Sequence, residues 1–113
     1  MDTIFDKIIR GEIKTTFIYE DKYAVAFHDL NPQAPIHVLV IPRTKFKNIT
    51  EAQQINTKIL GKFLQAIAKT ATLLHLDENG YRVVFNCGKN ALQTVNYMHA
   101  HILGGRQLSW PPG

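Results

Sequence analysis

This chain of 113 residues contains one cysteine, Cys87, and one tryptophan, Trp110. A lone thiol excludes an internal disulfide and any zinc site built on several cysteines, and Cys87 reads as a small turn residue. No apolar run approaches the roughly 18 residues that a membrane-crossing helix needs. The opening Met1-Asp2-Thr3-Ile4-Phe5-Asp6 lacks the basic-then-apolar order of a secretory signal, so a cytoplasmic location is expected. Charge is not concentrated either. Lys and Arg number 13 against 9 Asp and Glu, a net +4, and the basic residues are scattered. Without a basic block or basic–aromatic alternation, no nucleic-acid partner and no membrane partner is expected, whereas a small anion such as a nucleotide suits the balance. No repeat, low-complexity tract or Gly/Ser linker divides the chain, and its length bounds it to one domain over 1–113.

Apolar residues make up 45% of the sequence, enough for a core. Ile4, Phe5, Ile8 and Ile9 fall on one helical face, predicting a short helix over 2–10 that Asp2 or Thr3 starts and Gly11 ends. Thr16 to Glu20 and Tyr23 to His28 read as strands. Asn31-Pro32-Gln33-Ala34-Pro35 is a loop, because two prolines forbid regular pairing. Ile36 to Pro42 is almost continuously apolar, as in a strand buried on both faces, with His37 the exception. Thr50-Glu51-Ala52-Gln53 matches a capping box and predicts a long helix from Thr50 to about His75. Its apolar stripe, which includes Ile59, Leu60, Phe63, Leu64 and Ile67, is wider than one sheet covers, so a partner subunit is expected on its outer edge. Gly61 inside that helix costs roughly 1 kcal/mol against alanine, which a close backbone approach would justify. Tyr81 to Asn86 and Val95 to Leu103 read as the last strands, separated by a polar loop over 87–92. The pattern is α+β with a mostly antiparallel sheet.

The chemistry is concentrated in Tyr97-Met98-His99-Ala100-His101. On a strand, alternate side chains share a face, so Tyr97, His99 and His101 project together while Met98, Ala100 and Ile102 enter the core. Two such imidazoles stand about 7 Å apart at the backbone and can reach one small group. A zinc site on His99, His101 and His37 is one reading, ranked last because no carboxylate or cysteine stands at recognisable spacing. Acid–base or nucleophilic work on a phosphate is another, and a plain polar strand face is the third. His37 is placed as a buried, neutral imidazole supporting the pair.

Met98 to Gln107, the ending Trp110-Pro111-Pro112-Gly113, and the segments Thr3–Ile13, Ala26–Leu30 and Pro32–Pro42 together resemble the histidine-triad (HIT) family, in its Hint branch of purine nucleoside phosphoramidases. The resemblance covers essentially the whole chain. It implies a five-stranded antiparallel sheet with a short N-terminal helix and one long helix, paired as a homodimer. It also implies hydrolysis of nucleoside 5′-phosphoramidates, of adenosine or another purine, through a nucleotidyl-histidine intermediate, with no cofactor and no metal.

The resemblance assigns roles in turn. His99 matches the nucleophile, its other ring nitrogen held by a backbone carbonyl. His101 matches the residue that bonds phosphate oxygen and assists the leaving group, and His37 supports it. Thr94 stands where the family has a serine, with Asn86 and Gln93 further on the phosphate side. Asp29 matches the ribose-binding carboxylate. Ile4, Phe5, Ile8, Phe27, His28, Leu30 and Val95 match nucleotide-cleft residues, and Trp110 matches a tail residue lying near the partner subunit's site.

Two positions depart from the pattern. Tyr97 replaces the first triad histidine, a supporting residue directed towards the His37 position. Lys89-Asn90-Ala91-Leu92 replaces a segment with a glycine pair, whose freedom to take positive φ permits close phosphate approach. Other readings are a hydrolase of dinucleoside polyphosphates or nucleotidyl esters on the same fold, and a nucleotide-binding scaffold dimer with weak catalysis.

Overall fold

A computed structural model describes residues 1–113. Helix α1 spans Ile4–Ile9 and α2 spans Thr57–Leu73. The strands are β1 (Tyr19–Glu20), β2 (Ala24–His28), β3 (Ile36–Pro42), β4 (Arg82–Val84) and β5 (Ala100–Gly104). They form one antiparallel sheet in the order β1-β2-β3-β5-β4. The expected α+β architecture is therefore present. No helix is long and apolar enough to cross a membrane.

The sheet is buried on both faces, which explains the continuous apolar run of β3. Ala24, Ala26, Val38, Val40, Ala100 and Ile102 meet Phe63, Ala66, Ile67 and Ala71 of α2. On the other face Val25, Phe27, Leu39, Ile41 and Tyr97 meet Phe5 and Ile8 of α1. The expected alternation holds from Tyr97 to Ile102. The register places Leu39 opposite His101 and His37 opposite Leu103, so both histidines stand on the α1 face.

The helix starts differ from expectation. Thr50 is itself helical and makes no capping bond, and Glu51–Gln54 is a separate 3₁₀ turn ended by Ile55 in extended backbone. Asn56 caps α2, its side chain accepting from the N–H groups of Lys58 and Ile59. A reciprocal capping box does occur, at Thr3 and Asp6 on α1. Around Gly61 nothing in the chain lies within 4 Å of where a Cβ would be, so no close approach within the subunit accounts for it. Leu64 is 61% exposed and Leu73 is 54% exposed, leaving part of the stripe uncovered.

The last strand is shorter than its apolar pattern predicts, and Pro42 supplies the reason. Extending the β3–β5 register from Val40↔Ala100 would place Met98 opposite Pro42, which has no N–H to give a ladder. Met98 instead donates its N–H to the Phe46 carbonyl at 2.7 Å. His99 consequently lies just before β5 and His101 on it.

Candidate active site

Three imidazoles meet on the α1 face. The His99 and His101 ring centres are 5.1 Å apart and those of His37 and His101 are 5.2 Å apart. His37 and His99 are buried, and Phe5 packs against His99 with ring centres 5.0 Å apart and ring planes at 70°. The rings therefore converge.

Partner atoms assign the tautomers. His99 Nδ1 faces the Tyr97 carbonyl oxygen at 2.6 Å, so Nδ1 carries the hydrogen and donates. Its Nε2 retains a lone pair. The backbone N–H of Gln33 donates to His37 Nδ1 at 2.9 Å. His37 therefore carries its hydrogen on Nε2, which donates to His101 Nδ1 at 2.9 Å. The remaining hydrogen of a neutral His101 is then on Nε2. The result is one ring nitrogen with a free lone pair and, on the neighbouring imidazole, one N–H free to donate.

Burial favours the neutral forms. It holds His37 and His99 below the ordinary histidine pKa; the Asp29 carboxylate offsets this in part at His37, and at His99 the hydrogen bond to the Tyr97 carbonyl does so first and Asp29 second. His101 is pushed down to about 4 by burial first and then by the neighbouring His99 and His37. A neutral His99 at pH 7 satisfies the first requirement of a nitrogen nucleophile.

A cleft of about 580 Å³ adjoins this cluster and brings together Ile4, Phe5, Ile8, Phe27, His28, Asp29 and Leu30, every cleft residue expected from the first half of the chain. Apolar side chains dominate its walls, which suits a flat base. Leu30 is fully exposed at its rim. Asp29 Oδ1 accepts the Asn31 N–H at 2.8 Å, which orients the carboxylate, and Oδ2 lies 3.4 Å from His37 Nε2. Ile13, Phe17 and Thr16 also line the cleft. Sequence reasoning missed them because residues 13–18 lie in irregular backbone, the strand expected from Thr16 being confined to Tyr19–Glu20.

Thr94 and Val95 stand elsewhere, in a second hollow of about 570 Å³ that shares Ile4 with the cleft and also holds Lys45 and Lys47. Asn86 lies two residues beyond Val84, the β4 residue opposite His101. Gln93 is fully engaged within the chain. Its Oε1 accepts the Gly88 N–H, and its Nε2 donates to the Lys47 and Val95 carbonyls. A phosphate contact from Gln93 requires one of these bonds to be given up, so within the subunit it clamps the 88–95 loop. Trp110 is 81% exposed and its ring takes the Arg82 guanidinium at 5.8 Å rather than lining the cleft. Tyr97 is not directed towards His37 as the resemblance implied. Its hydroxyl donates to the Pro42 carbonyl at 2.5 Å, and the partner of His37 is His101. Gln33 was overlooked as a tautomer-setting residue, since its contribution is a backbone N–H and its side chain gives no signal.

The set Asp29, His37 and His101 offers donor atoms within 4.8 Å of one another, with Asp29 in place of the His99 of the zinc reading. It does not fit a metal as built. A metal on His37 Nε2 would move that ring's hydrogen to Nδ1, directly against the Gln33 N–H. Metal-bound histidines instead turn their second nitrogen towards an acceptor.

The family model of the HIT domain matches residues 10–108. This chain belongs to the HIT family. Among similar sequences is a 14 kDa zinc-binding protein of Zea mays, 48% identical over 98% of this chain and 88% of that protein. A HIT family hydrolase of Legionella pneumophila superposes with a TM-score of 0.90 at 42% identity, covering 99% of this HIT chain and 100% of the other. A histidine triad nucleotide-binding protein of Candida albicans superposes at 0.81 with 33% identity, covering 97% and 83%. The fold expected for a HIT protein is thus present throughout.

Proposed function

We propose that this HIT protein is a nucleotide-binding hydrolase that cleaves purine nucleoside 5′-phosphoramidates through a nucleotidyl-His99 intermediate. The observation that carries the reading is the His99 tautomer. With Nδ1–H held by the Tyr97 carbonyl at 2.6 Å, the lone pair of Nε2 is the one free to attack. The hydrolase and nucleotide-binding designations of similar proteins support it.

In this reading the base lies between Phe5, Ile8, Phe27 and Leu30, and Asp29 accepts hydrogen bonds from the ribose hydroxyls. His99 Nε2 forms a bond to the α-phosphorus as the phosphorus–nitrogen bond breaks. The amine departs with the bonding pair and a proton drawn from solvent. The positive charge left on His99 is met by the Tyr97 carbonyl, which keeps Nδ1–H as its donor. His101 Nε2–H donates to a phosphoryl oxygen as charge gathers there, with Thr94 as a further hydroxyl donor. Water then attacks phosphorus, releases the nucleoside monophosphate and returns Nε2 to its neutral state, the surplus proton passing to solvent. No metal or other cofactor takes part. A second subunit packs on α2 around Gly61 and Leu64, and Trp110 acts at the partner's cleft.

The test is turnover of an adenosine 5′-phosphoramidate by wild type and His99→Ala. Loss of at least about a thousandfold is expected when a nucleophile is removed. Wild-type rates in that variant would sink the reading. The second hollow, where Lys47 and the Asp6-paired Lys45 stand beside Thr94 together with Glu51, favours a second reading in which the leaving group is itself anionic, as in a dinucleoside polyphosphate, and Lys45 turns to it from Asp6. Relative kcat/KM for a phosphoramidate and a diadenosine polyphosphate decides between them.

A further inference from the structure

Tyr97, the residue that departs from the histidine triad, carries an inference that rests on the nucleotidyl-histidine reading. It is 1% exposed, and its ring meets that of Phe5 at 90° with centres 6.0 Å apart. The hydroxyl donates to the carbonyl of Pro42 at 2.5 Å, at the end of β3. The main-chain carbonyl of the same residue accepts the His99 Nδ1–H at 2.6 Å. One residue thus grips the sheet with its side chain and the nucleophile with its backbone. We propose that Tyr97 is a positioning residue, its phenol tethered to Pro42 so that its carbonyl aims Nε2 of His99 at the phosphorus.

The need for a tether follows from where the carbonyl sits. Residues 97–99 precede β5, so no strand ladder fixes the Tyr97 peptide. The bond from Met98 N–H to the Phe46 carbonyl holds one point of the peptide plane that carries the Tyr97 carbonyl, and the phenol holds that plane from its Tyr97 Cα end. If the second anchor is released, the Tyr97 carbonyl gains freedom and the short bond to Nδ1 weakens. His99 then populates its other tautomer, in which Nε2 carries hydrogen and cannot attack. Phe5 adds a restraint, since the same ring packs on both Tyr97 and His99. Burial pushes the phenol up to about 12, so the tether remains a donor through the neutral range. A histidine at this position is shorter and titrates in the range where the phenol does not.

Tyr97→Phe keeps the ring and removes one oxygen. The experiment measures kcat and KM for adenosine 5′-phosphoramidate well below the melting temperature, together with nitrogen-15 NMR of the His99 ring. The expected result is a kcat lower by about 5- to 30-fold, the loss of one orienting hydrogen bond, with KM within about twofold. The His99 nitrogens should move from a single Nδ1–H tautomer towards a mixture. Unchanged kcat and an unchanged single tautomer, with only a lower melting temperature, would overturn the proposal and leave Tyr97 as packing. Should Tyr97→Phe fail to fold, Tyr97→His serves as the second variant. It exchanges the phenol's bond to Pro42 for the family's own side chain, so Tyr97→Met, which offers no donor, is measured beside it: a mixed tautomer is expected in Tyr97→Met, and a single tautomer with full kcat there would again overturn the tether. If the wild-type protein turns over no phosphoramidate, the proposed reaction fails. The NMR comparison still decides the tether, since it needs no substrate.

Discussion

His37 presents a hydrogen-bond donor to His101: Nε2–H of the first faces Nδ1 of the second across 2.9 Å, and the Gln33 backbone N–H behind His37 sets that direction. Three groups in a row thus fix which nitrogen of His101 donates into the site. His37→Phe removes the middle link while keeping an aromatic ring. The expected outcome is a kcat reduced about tenfold, the typical worth of one hydrogen bond, with nucleotide affinity nearly unchanged. Single-turnover kinetics beside AMP binding by calorimetry checks the split.

The same burial that keeps the histidines neutral makes stability depend on pH. In the unfolded chain a histidine binds its proton near pH 6.5, while folded His101 binds one only near 4 and His37 and His99 are also held low. Between those values the unfolded chain holds more protons, so stability rises with pH there and falls on acidification. The melting temperature should be level above about pH 7 and decline from about pH 6.5 towards 4. In His101→Phe the decline should be shallower. A wild-type melting temperature that stays constant from pH 7 to 4.5 contradicts this account.

Asn56, not Thr50, starts α2, so their substitutions should differ. Asn56→Ala leaves the Lys58 and Ile59 N–H groups without their side-chain acceptor and should cost about 1 kcal/mol. Thr50→Ala removes no helix cap and should stay within about 0.5 kcal/mol. Urea unfolding of the two variants makes the comparison directly.

Leu92 holds the conformation that a glycine would occupy freely, with φ 60° and ψ 44°. Left-handed backbone costs a side-chain-bearing residue about 1–2 kcal/mol, and Leu92 is 79% exposed, so little packing offsets it. Leu92→Gly should stabilise the protein by up to about 1 kcal/mol once the extra freedom of glycine in the unfolded chain is subtracted. A lower unfolding midpoint in urea would show that leucine at this position makes a contact worth more than the strain.

Gly61 faces open space within the subunit. Gly61→Ala should therefore raise the helical stability of the isolated chain by up to about 1 kcal/mol and, in the proposed dimer, weaken self-association, because the added methyl group would meet the second subunit. Sedimentation equilibrium of wild type and variant measures the second effect. Equal association in both would place the partner elsewhere.

The sequence made the sheet and its two buried faces legible because period-two alternation and the unbroken apolar run of β3 are strong signals. The convergence of His37, His99 and His101 was legible for the same reason. The start of α2 was not: Thr50–Gln53 carries the residue types of a cap, yet the backbone turns extended at Ile55 and the helix begins afresh at Asn56. The late start of β5 depended on Pro42 in a different strand, a non-local effect that no window along the chain contains. The roles of Gln33 and of the Tyr97 carbonyl are main-chain contributions, invisible to reasoning from side chains. Gln93 was assigned by correspondence, and its three internal bonds became visible only once the 88–95 loop and Lys47 were placed together.

Because Pro42 cannot complete another rung, His99 is hung beside the sheet instead of being woven into it. Its aim is thus adjustable by substitutions that leave the five strands alone. A residue with an amide hydrogen at position 42 would invite the two central strands to zip past Ala100. That would pull the Met98 N–H from the Phe46 carbonyl towards residue 42 and carry the Tyr97 carbonyl away from His99 Nδ1, trading a longer seam for a misdirected nitrogen.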